Sequence, residues 1–143
     1  MNAPKIVIDT DLLVDHLRCE RAPSVLRVAM GEFLCYTTVF NAVELFALAR
    51  NARERGVMED ALGGMKILGL NAKNAPQIGE ILKASRSRNL NAALIGGLCR
   101  ESRLGLLTGR PGAYRGIKGL RVIPSRAIRP GRSAGEILDL RTR

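Results

Sequence analysis

Three carboxylates occupy places where short sequence patterns could put them to chemical use. Asp9 closes the apolar run Lys5-Ile-Val-Ile-Asp9, Asp11 follows two residues later, and Glu44 lies in the apolar-periodic stretch that begins at Val39. A run of the first kind reads as a fully buried parallel strand, and chemistry in parallel sheets gathers at the carboxyl ends of the strands. Phe33-Leu-Cys-Tyr-Thr37 reads as a second strand, which puts Glu44 about two turns into the helix that follows, where its side chain could face Asp9. Carboxylates meeting there would suit magnesium or manganese, because such ions take one or two protein carboxylates and leave the remaining positions to water and phosphate oxygens. A metal so held activates water and neutralises charge on a scissile phosphodiester. The same residues admit a plainer use, in which Asp9 and Asp11 cap a helix and Glu44 is solvated.

The elements that must position these acids follow from apolar periodicity. After the first strand, Thr10 or Asp11 can cap a helix through Leu12, Leu13, His16 and Leu17. Ser24 to Met30 is a second helical piece, which Gly31 is expected to end, and Val39 to Leu48 is a third. Met58 to Met65 reads as a helix weakened by Gly63 and Gly64, and Ile67-Leu-Gly-Leu70 as a third strand. Ala75 to Ala84 and Ala92 to Glu101 are helical, with the basic link Ser85-Arg-Ser-Arg88 between them. Leu104 to Thr108 and Leu120 to Ile123 supply a fourth and a fifth strand. Strands alternating with helices imply a parallel central sheet of four or five strands between helical layers, a three-layer α/β/α sandwich. One domain over residues 1–124 is expected, then a basic Arg/Pro/Gly-rich arm over 125–143 that ends in a short helix at Ala134 to Leu140.

Composition narrows the partners. The 143 residues carry 23 basic and 13 acidic side chains, a net charge of +10, and without the last segment 18 basic and 11 acidic residues remain, so the body is basic too. A positive field of this size favours polyanions, nucleic acid first. Lys83, Arg86, Arg88, Arg100 and Arg103 read either as a basic face near the cleft or as ordinary solvated charge. Cys19, Cys35 and Cys99 form no CxxC pair, and His16 is the single histidine, so neither zinc nor disulfides are expected. His16 reads as a surface or half-buried residue without an identifiable partner. Nothing approaches the ~20 apolar residues of a membrane span, and no basic leader precedes an apolar run, so a cytoplasmic protein away from the membrane is expected.

The ordered motifs carry a family resemblance. Ile6-Val-Ile-Asp-Thr-Asp-Leu-Leu-Val14 resembles the opening strand and acidic turn of the PIN-domain family, its VapC toxin branch above all. Thr37-Thr-Val-Phe-Asn-Ala-Val-Glu-Leu45 is similar to the segment bearing that family's second acid, which falls on Glu44. Leu94-Ile-Gly-Gly-Leu98, Leu104-Gly-Leu-Leu-Thr108 and Tyr114-Arg-Gly-Ile-Lys-Gly-Leu-Arg-Val122 resemble the closing helix and strands, so the likeness runs from Lys5 to Ile123. It implies a magnesium- or manganese-dependent endoribonuclease of a toxin–antitoxin system acting on RNA. Asp9 and Glu44 would be the catalytic metal ligands, supported by Asp11. It also implies a homodimer and a small antitoxin-like partner.

Two of the family's four acidic positions depart from the pattern. The third falls on Ala92, beside the neutral Asn91, and the fourth on Arg110. A methyl offers no lone pair, and the Asn91 amide is a weaker ligand one position out of register. Arg110 could replace the metal as counter-ion to Asp9 and Glu44, or it could point outward to solvent or phosphate. Two readings follow: a nuclease with a reduced site, or a pseudo-nuclease that binds RNA or protein without hydrolysis. A third, an unrelated α/β anion-binding domain, would need a different strand order.

Overall fold

The computed structural model describes residues 3–19, 23–87 and 89–140; Arg88 of the basic link and Arg141 and Arg143 of the tail lie outside them. Five strands, β1 (Lys5–Ile8), β2 (Leu34–Thr38), β3 (Lys66–Leu68), β4 (Gly105–Thr108) and β5 (Val122–Pro124), form one sheet in the order β3-β2-β1-β4-β5 with every pairing parallel. The helices are α1 (Thr10–Arg18), α2 (Val25–Glu32), α3 (Val39–Ala47), α4 (Ala52–Gly63), α5 (Ala75–Ala84), α6 (Leu90–Glu101) and α7 (Ala134–Leu140). A 3-10 turn at Pro111–Tyr114 links β4 towards β5, and a second lies at Ser125–Ala127.

Strand alternation divides the core. Ile6, Ile8, Leu107 and Ile123 face one layer, where they pack with Leu12 and Leu13 of α1, Leu26 of α2 and Leu45 of α3. Val7, Tyr36 and Leu106 face the other, with Ala92, Ile95 and Cys99 of α6 and Tyr114. Ile6, Val7 and Ile8 have no solvent exposure, so β1 is covered on both sides, as its unbroken apolar run implies. Each aliphatic side chain buried this way contributes about 1.5–3 kcal/mol. The expected α/β/α sandwich is the observed fold, and Cys35 and Cys99 are buried within it.

Several local expectations shift for identifiable reasons. The cap of α1 is Asp9 rather than Thr10 or Asp11, because its side chain accepts from the Thr10 amide. Gly31 stays inside α2, where the Phe33 amide still reaches the Ala29 carbonyl at 2.8 Å. Helix α4 begins six residues before Met58, since Asn51 caps it and Arg50 pairs with Glu54 one turn along. Strand β5 starts at Val122, after Gly119 at φ 83° turns the chain.

The largest correction concerns the segment after Pro124. It is not a peripheral arm: Ala127, Ile128, Ala134 and Ile137 are buried in the same cluster as β1 and α1. The polar composition hid apolar residues spaced to reach the sheet. Among the described residues no helix is long and apolar enough to cross a membrane.

Ile137 has no exposed surface. Ile137→Ala should therefore lower the unfolding free energy by about 2–5 kcal/mol in urea titrations. A loss within about 0.5 kcal/mol, the scale of surface substitutions, would mark α7 as an appendage.

Candidate functional site

The site grows from the end of β1. Asp9 lies there with no solvent exposure, its backbone amide bonded to the Leu107 carbonyl of β4 at 3.0 Å. Its Oδ1 accepts from the Thr10 amide at 2.8 Å and from Asn41 Nδ2 at 3.0 Å, and its Oδ2 accepts from the Thr108 hydroxyl at 2.7 Å. The buried Tyr114 phenol lies near this carboxylate. Burial first, then the charge of Asp9, push the Tyr114 phenol above its ordinary range, so it keeps its proton.

Asn41 connects Asp9 to Glu44. Its Oδ1 accepts from the Thr38 amide at 3.2 Å and the Thr38 hydroxyl at 2.6 Å, which closes a capping box at the start of α3. Its Nδ2 donates to Asp9 and, at 2.9 Å, to Thr10 Oγ1. Thr10 in turn donates to Glu44 Oε1 at 2.7 Å. Asp9 and Glu44 thus meet at one mouth of the sheet, joined through Thr10, and Glu44 is half-buried.

Asp11 faces the other side of Asp9. Its Oδ2 accepts from the Gly109 amide at 3.0 Å, while its Oδ1 is buried without a partner. Gly109 is needed for that approach, since a Cβ there would lie 2.6 Å from Asp11 Oδ2. Burial first, then the negative charge of Asp9, raise the Asp11 carboxyl; the Gly109 amide and the Arg110 charge pull the other way.

The two departing positions do not join the acids. Ala92 is buried, its amide capped by Asn89 Oδ1 at 3.1 Å, and its methyl lies in the cluster with Val7 and Tyr114. Asn91 is half-buried and bonded to none of the three acids. Arg110 donates its backbone amide to Thr108 Oγ1 at 3.0 Å, and the residue is exposed. The ion pairs among the described residues are Arg50–Glu54 and Arg55–Glu59, so Arg110 is not seated as counter-ion to Asp9 or Glu44. Its charge nonetheless acts on Asp11 and Tyr114.

Thr10, Asn41, Thr108 and Tyr114 were legible only as letters of motifs. Asn41 inside an apolar run and Thr108 at the end of one carry a sequence signal, a polar side chain where a buried partner is required, whereas Thr10 between two acids and Tyr114 after Pro-Gly-Ala carry none. His16, expected to stand alone, has its Nδ1 2.6 Å from Ser24 Oγ, and burial first, then Arg27, lower its pKa. Burial raises the Cys35 thiol to about 12, so it is an inert core residue.

A carboxylate has about four lone-pair directions, and protein donors occupy three of those of Asp9. Among the described residues no three His, Cys, Asp or Glu side chains gather as ligands for one metal ion. Three protein donors therefore compete with any divalent ion for the Asp9 oxygens, and an ion at this mouth would rest on Asp9 and Glu44 with water and phosphate in its other positions.

Solved structures share this fold. A DNA-bound VapBC from Salmonella typhimurium matches with a TM-score of 0.70 and 16% identity, covering 85% of this chain and 98% of that one. A toxin–antitoxin complex from Klebsiella pneumoniae matches at 0.67 and 19%, over 84% and 97%. VapBC2 from Rickettsia felis, bound to a promoter DNA fragment, matches at 0.68 and 15%, over 82% and 96%. No family model and no curated protein matches. At these identities the likeness establishes the fold.

The raised Asp11 carboxyl has a defined consequence. An acid with a higher pKa folded than unfolded binds its proton more tightly in the native state, so its contribution to stability falls as pH rises from the ordinary value of 3.8 through the raised one. Asp11→Asn should remove that fall and make the protein more stable than wild type at pH 7, with the difference shrinking towards pH 4 in urea titrations. Lower stability of the variant at pH 7 would contradict the assignment.

Proposed function

We propose that this chain is the toxin-type member of a toxin–antitoxin pair, a VapC-like protein directed at RNA, and that it binds RNA without hydrolysing it. The observation that carries the reading is the state of Asp9: it meets Glu44 where a PIN-type site would lie, yet it is fully buried and held by three protein donors. The fold shared with VapBC structures supports the family setting. The net charge of +10 supports a polyanionic ligand. With Ala92 and Arg110 in the remaining acidic positions, a transition state would lose about 3–4 kcal/mol of stabilisation for each decisive group, or ~100- to 1,000-fold in rate.

Two surfaces support the expected protein partners. A cavity of about 790 Å³ between α1, α3 and α4 is lined by Leu45, Leu48, Val57 and Met58, with Arg18 and Arg53 among its walls. Apolar floor and basic wall suit an acidic amphipathic segment of a small antitoxin-like protein. Val43 on α3 is 63% exposed and Ile67 on the edge strand β3 is 46% exposed, which favours a homodimer contact on that side.

The second reading is a magnesium- or manganese-dependent ribonuclease with a reduced site of Asp9, Glu44 and Asp11. The convergence of Asp9 and Glu44 through Thr10 favours it.

One assay separates the two. Wild type, Asp9→Asn and Ala92→Asp are incubated with mixed cellular RNA in magnesium and in manganese, with folding checked by circular dichroism and binding by gel shift. The expected result is RNA binding by wild type with no ion-dependent cleavage above Asp9→Asn. Cleavage by wild type that disappears in Asp9→Asn would establish the second reading, and cleavage gained only in Ala92→Asp would mark a scaffold that lost hydrolysis at that position.

A further inference from the structure

No carboxylate occurs between Glu101 and Glu136, a span that carries eight arginines and lysines. It folds into β4, the Pro111–Tyr114 turn and the edge strand β5, so one side of the sheet is built from chain without acidic compensation. Arg110 marks its carboxyl end, beside the acids. At the amino ends of β1, β4 and β5 lies a second cavity of about 360 Å³, whose walls include Lys5, Arg103 and Arg121 and no acid.

Local structure brings these cations to the cavity. Arg121 stands level with Gly105 of the neighbouring strand, and its stem lies over that glycine: a Cβ at Gly105 would sit 3.1 Å from Arg121 Cδ and 3.4 Å from Cγ. Any larger residue would lift the arm away from the sheet. Arg103 ends the turn after α6 with φ 60°, a left-handed conformation that glycine ordinarily takes at a helix end. Its amide bonds to the Arg100 carbonyl at 3.0 Å, and the next amide reaches Cys99 at 3.0 Å, so the backbone is held on both sides. Lys5 opens β1 and lends its backbone to the wall, while its ammonium lies 5.9 Å from the Tyr36 ring centroid on the other face of the sheet, so Arg103 and Arg121 are the cations of the cavity. None of the three takes part in the ion pairs among the described residues.

We infer that this pocket is a phosphate-binding site that anchors the backbone of a bound RNA strand at the edge of the sheet opposite the carboxylates. Guanidinium groups match phosphate oxygens in a planar fork, and unpaired cations in a concave site focus the field on an anion. Strand β4 spans four residues, so the two edges are about 13 Å apart, and one RNA strand lying along β5 meets both Arg110 and the pocket. The inference rests on the RNA reading above and adds a site to it.

The test uses the full chain, with Arg103→Asn, which tolerates the left-handed backbone, combined with Arg121→Gln, which keeps the stem. Inorganic phosphate is titrated into the wild type while amide shifts are followed by NMR, and a single-stranded oligoribonucleotide is titrated into both proteins at several salt concentrations. Phosphate should shift the amides of Arg103, Gly105 and Arg121 and leave Asp9 unmoved. The double variant should bind RNA with a log–log salt slope shallower by about 1.4 and an affinity roughly 10- to 25-fold lower near 0.1 M salt. RNA binding with an unchanged slope and unshifted pocket amides would overturn the site and leave the RNA reading standing. Phosphate shifts at the pocket without RNA binding by the wild type would do the reverse.

Discussion

The structure turns on one buried charge. A carboxylate with no solvent exposure is costly unless its lone pairs are met, and Asp9 meets them with donors drawn from three places in the chain. Thr10 belongs to α1, Asn41 to α3 and Thr108 to β4, with the Tyr114 phenol buried nearby. The charge also lies at the amino end of α1, where the helix dipole favours it. Asp9 therefore ties together the elements around the carboxyl edge of the sheet, and the same bonds compete with an ion for its oxygens.

That arrangement gives Glu44 and Asp11 different characters. Glu44 is reached through a chain of neutral donors, with Thr38 fixing Asn41, Asn41 fixing Thr10, and Thr10 bonding Glu44. Asp11 has one oxygen satisfied by a backbone amide and the other buried without a partner. The acids share one mouth without forming a shared ligand cage, while the basic residues of the β4–β5 side extend from that mouth to the opposite edge of the sheet.

Much of this was legible in the sequence where the physics is local. The apolar run Ile6-Val-Ile8 announced a strand covered on both faces, and its closing acid located the site. The meeting of Asp9 and Glu44 followed from strand-then-helix order. What sequence could not supply was the partner of each polar atom: Asn41 and Thr108 bond Asp9 across 32 and 99 residues, distances that only the completed sheet closes. Arg110 was readable as a charge but not as a direction, because the Gly109 turn aims its backbone at Thr108 and leaves the residue exposed. The segment after Pro124 misled because arginines, prolines and glycines outnumber the few apolar residues that bury it.

The central claim is that protein hydrogen bonds, rather than a metal ion, satisfy the Asp9 carboxylate. Crystals grown in manganese and measured at its absorption edge test it most directly. The account predicts no anomalous peak beside Asp9, with Thr10, Asn41 and Thr108 still bonded to its oxygens. A manganese ion within about 2.2 Å of oxygens from both Asp9 and Glu44 would contradict it.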